Sequence, residues 1–106
     1  MNDGLVLESI GNVLQINLPD FQPIEIKLDH IDQKLAETYQ LMDTGKFSAA
    51  INHLYSLAKV YQQAGEFSDI LMIYLMDCLE YCGQTELSKL VMSLLDQFDL
   101  REVTFH

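Results

Sequence analysis

Between Leu54 and Tyr74 the chain carries one apolar stripe, a helix stop and a second apolar stripe, and this order leaves little freedom in how the stretch can fold. Leu54, Leu57, Ala58 and Tyr61 recur at helical spacing, Gly65 interrupts, and Phe67, Ile70 and Tyr74 follow. The pattern predicts two antiparallel helices joined at a tight turn. Gly65 is the stop because glycine readily takes the left-handed conformation that ends a helix. The stretch is a packing device and contains no catalytic group.

The same period holds from Asp29 onward. Asp29 is positioned to cap a first helix with the stripe Ile31, Leu35, Tyr39 and Met42, ending at Gly45. Phe47, Ala50, Ile51, Leu54, Leu57, Ala58 and Tyr61 mark a second helix, up to Gly65. The third, Glu66 to Tyr81, is apolar on nearly every side, and Thr85 is positioned to cap a fourth that carries Leu87, Leu90, Val91, Leu94, Leu95 and Phe98. Gly45, Gly65 and Gly83 fall 20 and 18 residues apart, which predicts consecutive antiparallel helices in two αα-hairpins. Gly45-x-Phe47-x2-Ala50 echoes Gly65-x-Phe67-x2-Ile70, so the second helix serves both hairpins. A solenoid and a compact bundle both reuse a helix in that way, and the echo leaves the two open.

Residues 4–28 read differently. Leu5 and Leu7, a Gly11-Asn12 turn, then Leu14, Ile16 and Leu18, a turn from Pro19 to Pro23, and finally Ile24, Ile26 and Leu28 alternate with polar residues. The expectation is a small N-terminal antiparallel β-meander, its apolar face covered by the helices, since so small a sheet is marginal alone. The predicted fold is therefore α+β, mostly α, in a single domain of residues 1–106: a meander over 4–28 and helical hairpins over 29–98. A chain of 106 residues supports one core, burying roughly two-thirds of its unfolded surface.

Taken together, Leu54-x2-Leu57-Ala58-x2-Tyr61, Gly65 and Ile70-x3-Tyr74 resemble the tetratricopeptide repeat, whose pattern runs bulky-x2-Leu-small-x2-Tyr and later small-x3-aromatic. In such a hairpin Ala58 would admit a neighbouring helix closely, and Phe67 and Tyr74 would fill the gap between the pair. This chain departs from the family in three respects: Ile70 stands for the usual alanine, no proline follows the second helix, and no further copy follows at the 34-residue period. The resemblance covers about a fifth of the chain. It implies that Asn52, Tyr55, Lys59 and Gln62 lie on the side that lines the family's concave peptide groove. Small acidic proteins of this type are often adaptors or chaperones, bacterial secretion chaperones among them, that hold a peptide segment of a client. The resemblance thus implies a protein or peptide partner.

Surface chemistry fits a binding role. The second helix has a polar face of Ser48, Asn52, Tyr55, Ser56, Lys59, Gln62 and Gln63 with a single charge, in a chain of 16 acidic and 6 basic residues and formal net charge −10. That field repels nucleic acid and anionic lipid, which disfavours both as partners; it either attracts basic proteins or serves solubility alone, and the sequence leaves both open. A rival reading follows: an acidic inhibitor or immunity-type protein that blocks a basic enzyme. The third helix needs cover on all sides. The meander, a second copy of the chain in a homodimer, or a client protein are the covers open to it, and Met42, Met72, Met76 and Met92 suit either an adaptable contact or plain core.

Catalytic patterns are missing from the sequence. His30, His53 and His106 are spread apart, and no phosphate loop, Gly-x-Ser-x-Gly, His-Glu-x2-His or Cys-x2-Cys occurs. Asp77 and Glu80 read as a solvated helix edge. Cys78 and Cys82 sit one helical turn apart, where a disulfide would strain the helix, and too few ligands accompany them for a metal, so they read as free thiols. The expectation is a protein that is not an enzyme, with no cofactor and no metal. The longest apolar run, Ile70 to Met76, is far shorter than the ~20 residues of a membrane span, and Met1 to Leu7 lack the basic start of a secretion signal, which makes the cytoplasm the expected compartment.

Overall fold

Gly45, Gly65 and Gly83 stand at the ends of three helices with φ of +75°, +87° and +78°, a region that glycine enters without strain. Each closes its helix in the same way. The Gly45 N–H donates to the Met42 carbonyl and the Lys46 N–H to Leu41, at 3.1 and 2.8 Å. Gly65 and Glu66 do the same onto Gln62 and Tyr61, and Gly83 and Gln84 onto Glu80 and Leu79. These paired bonds satisfy carbonyls that a helix end leaves without a partner, and they reverse the chain within a few residues.

In the computed structural model, which describes the backbone of residues 3–103 and the side chains of residues 4–97, the chain forms five helices: α1 (Asp3–Asn17), α2 (Ile31–Asp43), α3 (Phe47–Gln63), α4 (Asp69–Tyr81) and α5 (Thr85–Val103). Helices α2 to α5 follow one another as antiparallel hairpins. The hub is α3, which packs on α1, α2 and α4, while α5 packs on α4 and α1. Helix α1 therefore lies across α3 and α5. Ile51, Leu54 and Leu57 of α3 share one core with Leu75 and Leu79 of α4, Leu87 and Val91 of α5, and Leu7, Ile10 and Leu14 of α1. A hydroxyl adds a tie between α4 and α5, Ser88 Oγ donating to the Met76 carbonyl at 3.2 Å.

The fold is thus all-helical, which corrects the expected α+β class and its N-terminal meander: among the described residues there is no strand. The reason lies in two competing periods. Val6, Leu7, Ile10 and Leu14 recur at helical spacing and are buried, whereas Leu5 and Ile16, which the alternation assigned to an apolar strand face, are 59% and 82% exposed. As a helix the segment lays its whole stripe on α3 and α5; as strands it would bury Leu5 and Ile16 in place of Val6 and Ile10. Gly11, read as a turn, is mid-helix. A Cβ there would overlap the Tyr55 hydroxyl, so this glycine permits close approach of α1 to α3.

A turn over Leu18–Phe21, closed by the Phe21 N–H donating to the Leu18 carbonyl at 3.2 Å, ends α1. Residues 21–27 then run without turn, bend or helix to an extended Lys27, in keeping with Pro23, which biases the residue before it toward extended backbone. Among the described residues no strand pairs with this segment. It runs as a strap from α1 to a single 3-10 turn, Leu28–His30, that leads into α2. Asp29, expected to cap the next helix, lies inside that turn, and no side chain caps α2. Ser68 caps α4, its Oγ accepting the Leu71 N–H at 3.3 Å. The Phe98 side chain and His106, both singled out above, lie outside the described residues.

The molecule measures 40 × 33 × 21 Å. Its short dimension equals two helix diameters of about 10 Å each, so a helix that is apolar all round is left partly bare. In α4, Leu71, Met72, Leu75, Cys78 and Leu79 are buried, while Ile70 is 59% and Ile73 51% exposed. No helix among the described residues is long and apolar enough to cross a membrane.

Candidate functional site

The α3 face that carries Asn52, Tyr55, Lys59 and Gln62 is already in contact with the chain's own N-terminal part. The Gln22 N–H donates to Asn52 Oδ1 at 3.0 Å, and the Ile24 N–H donates to Ser56 Oγ at 2.8 Å. Tyr55 is buried; its hydroxyl donates to the Leu7 carbonyl of α1 at 3.0 Å, and its ring meets Phe21 edge-on at 5.3 Å and 77°. Burial first, and then the charge of Glu8, raises the Tyr55 phenol above its ordinary range. The Gln62 amide sits beside Gly4, and Lys59 is half-buried on the same face. Three of the four residues thus meet α1 or the strap.

Ser56, which the sequence places on the polar face but not among the four groove residues, is the further partner, and its spacing held the signal. Side chains four apart on a helix are about 6 Å from each other, and residues two apart in an extended chain are about 6.6 Å apart. Asn52 and Ser56 therefore match Gln22 and Ile24 in register. Along this segment Phe21 and Ile26 are buried, Ile24 is half-buried, and Gln22, Pro23, Glu25 and Lys27 face solvent. Burying Phe21 and Ile26 contributes roughly 4 kcal/mol, the half-buried Leu18 and Ile24 about 2 more, and the two hydrogen bonds about 2 together. Ordering the strap's ten residues costs roughly 10 kcal/mol of backbone entropy. The two sides nearly cancel, so the strap is held in place without being locked.

A second surface is open. Between α2 and the start of α4 lies a cleft of about 470 Å³, lined by Leu35, Tyr39, Tyr61, Phe67, Ile70 and Leu71 with Glu66, Ser68 and Asp69. Leu71 is buried, Leu35, Tyr61 and Phe67 are half-buried, and Tyr39 and Ile70 are exposed. Tyr74, expected to fill the space between α3 and α4, instead meets Tyr39 of α2 edge-on at 5.9 Å and 85°. The charges beside the cleft are acidic. The Tyr61 phenol is raised by its partial burial, then by Asp32 and Glu66, then by Tyr39, and Lys34 is paired with Glu37 at 3.4 Å. The cleft thus offers aromatic edges and faces, aliphatic surface and carboxylates together, a combination that receives a cationic or amphipathic segment.

No protein-family model matches the chain, and neither a curated protein nor a solved structure matches it.

Elsewhere the titratable groups are dispersed. Among the described residues no group of three or more His, Cys, Asp or Glu side chains is placed to hold a metal ion. Cys78 and Cys82 are free, the first buried and the second half-buried with its Sγ 3.8 Å from Ser48 Oγ. Burial first, then Cys82 and Asp77, pushes the Cys78 thiol up to about 12, which makes it a poor nucleophile at neutral pH.

Proposed function

We propose that this protein is a protein–protein interaction module, a small acidic adaptor or chaperone-like chain, and that it receives a segment of its partner in the cleft between α2 and α4. One observation carries the reading: an open aromatic and aliphatic cleft of about 470 Å³ continues onto Ile70 and Ile73, side chains of a largely apolar helix that the fold leaves uncovered. Exposed apolar surface with a polar rim is the mark of a binding site. The occupant's chemistry follows from the lining. An aliphatic or aromatic anchor fits beside Phe67 and Ile70, and a lysine or arginine next to it meets Glu66, Asp69 and the tyrosine faces. This moves the binding surface away from the α3 face that the tetratricopeptide resemblance implied, because that face is engaged from within.

The test is a comparison of captures. The wild-type chain and an Ile70→Asp/Tyr39→Ala variant are used as baits in native cell extract, with Leu90→Asp, an exposed position on α5, as the control. The partner recovered with wild type is expected to be retained by the control and lost by the cleft variant. Retention by the cleft variant, or equal loss by the control, refutes the reading. Affinity for the isolated partner segment is expected to fall only modestly between low and high salt, since few charges are involved. A steep fall would favour the acidic blocker of a basic enzyme in its place.

A further inference from the structure

The strap is bound as a peptide ligand would be. From Phe21 to Lys27 it makes no turn or bend, its alternate N–H groups at Gln22 and Ile24 are read by side-chain acceptors of α3, and its apolar residues Phe21 and Ile26 are buried and Ile24 half-buried while Gln22, Pro23 and Glu25 face water. The acceptor Ser56 is 97% buried beneath it, being 3% exposed, so the polar group is matched to this occupant. The fit is incomplete at one end. Beside Phe21, a cavity of about 150 Å³ remains between the strap, Asn52 and Cys82, which leaves room for a ring larger than that of phenylalanine.

We infer that the α3 face is a second peptide-acceptor surface, filled by residues 18–27 in the free protein. Its ligand in trans is an extended segment of another protein in which an aromatic residue is followed three and five positions on by aliphatic residues. That is the pattern of Phe21, Ile24 and Ile26. Such a segment takes over the bonds to Asn52 and Ser56 as the strap leaves. Displacement is feasible because side chains alone hold the strap: it belongs to no sheet, and both bonds that fix it to α3 end on side-chain oxygens. The tethered strap competes at an effective concentration on the order of millimolar, so the surface stays closed until a better-fitting segment arrives. This surface is separate from the α2–α4 cleft, and the two inferences stand or fall independently.

The experiment uses a fluorescein-labelled synthetic peptide of residues 18–27, titrated by anisotropy against the full chain. Wild type is expected to bind it weakly. A Phe21→Ala/Ile26→Ala chain, whose own strap is loosened, is expected to bind at least ten-fold more tightly, and adding Asn52→Ala/Ser56→Ala is expected to return binding to the wild-type level. Failure of the loosened chain to gain affinity while it keeps its helical circular dichroism and cooperative melting overturns the inference. So does equal binding of a scrambled peptide, and so does a dimer of the loosened chain, which would give the surface to a second copy. Amide exchange in the wild-type chain provides a test that needs no variant. Gln22 and Ile24 are expected to exchange at least a hundred-fold faster than Leu54 and Leu57, and equal protection would show that the strap leaves only when the whole protein unfolds.

Discussion

Gly11→Ala should destabilise the protein, although general helix chemistry demands the opposite. In an exposed helix interior the change stabilises by about 1 kcal/mol. Here the new methyl group would come within 2.7 Å of Tyr55 Cζ and closer still to its hydroxyl. The ring must withdraw, and three terms follow. The hydrogen bond to Leu7 contributes about 1 kcal/mol. The edge contact with Phe21 contributes roughly 0.5–1.5 kcal/mol, and overpacking adds roughly 1–3 kcal/mol. Set against the propensity gain, the net loss is roughly 1.5–4.5 kcal/mol, read as a shift in the urea midpoint at unchanged slope. Tyr55→Phe removes the atom nearest the new methyl, so the double variant should lose at least about 1 kcal/mol less than the sum of the single losses. A neutral or stabilising Gly11→Ala would mean that α1 does not rest on Tyr55. Loss without relief by Tyr55→Phe would return Gly11 to a turn, as the alternating pattern proposed.

Other expectations are simpler. Ser68→Ala removes the cap of α4 and should cost about 1 kcal/mol in the same assay, whereas Ser68→Asp should keep the cap. Gly65→Ala meets no neighbour within 4 Å yet forces a side chain to φ +87°, so it should cost about 1–2 kcal/mol through backbone strain alone. Cys78 gives a pH signature: its thiol is raised to about 12 from the ordinary 9.0, so the unfolded chain releases this proton at lower pH than the folded one. The stability it contributes is therefore full below about pH 9 and is lost as pH rises toward 12. Urea midpoints should fall more between pH 8 and 9.5 for wild type than for Cys78→Ala, a comparison in which the contributions of Tyr55 and Tyr61, present in both chains, cancel.

The helix ends at Gly45, Gly65 and Gly83 were legible because the requirement for positive φ is local and glycine answers it. The N-terminal segment was not. Leu5, Leu7, Leu14 and Ile16 support a two-residue period as readily as Val6, Ile10 and Leu14 support a helical one, and the choice is made by α3 and α5, which lie far along the chain. The Ile24 and Ile26 alternation did mark extended backbone, yet it could not say that the neighbour would be a helix offering Asn52 and Ser56 rather than another strand. On α3 a run of polar residues looked like open surface. Tyr55 shows the fault in that reading, since a phenol buries well when its hydroxyl finds a carbonyl, here that of Leu7. The cleft escaped notice for a related reason: Tyr39 and Tyr74 belong to different hairpins, and no local spacing announces their meeting.

The three glycine corners are self-sufficient. Every bond that closes them runs to residues at most five positions away, and beyond their chain neighbours open space surrounds each glycine where a side chain would be. The angle at which one rod folds back on the next is consequently written into six or seven residues. A corner of this kind is transferable: grafted between two other amphipathic helices, it should reverse the chain there too, and growth of this architecture requires one more corner and one more rod.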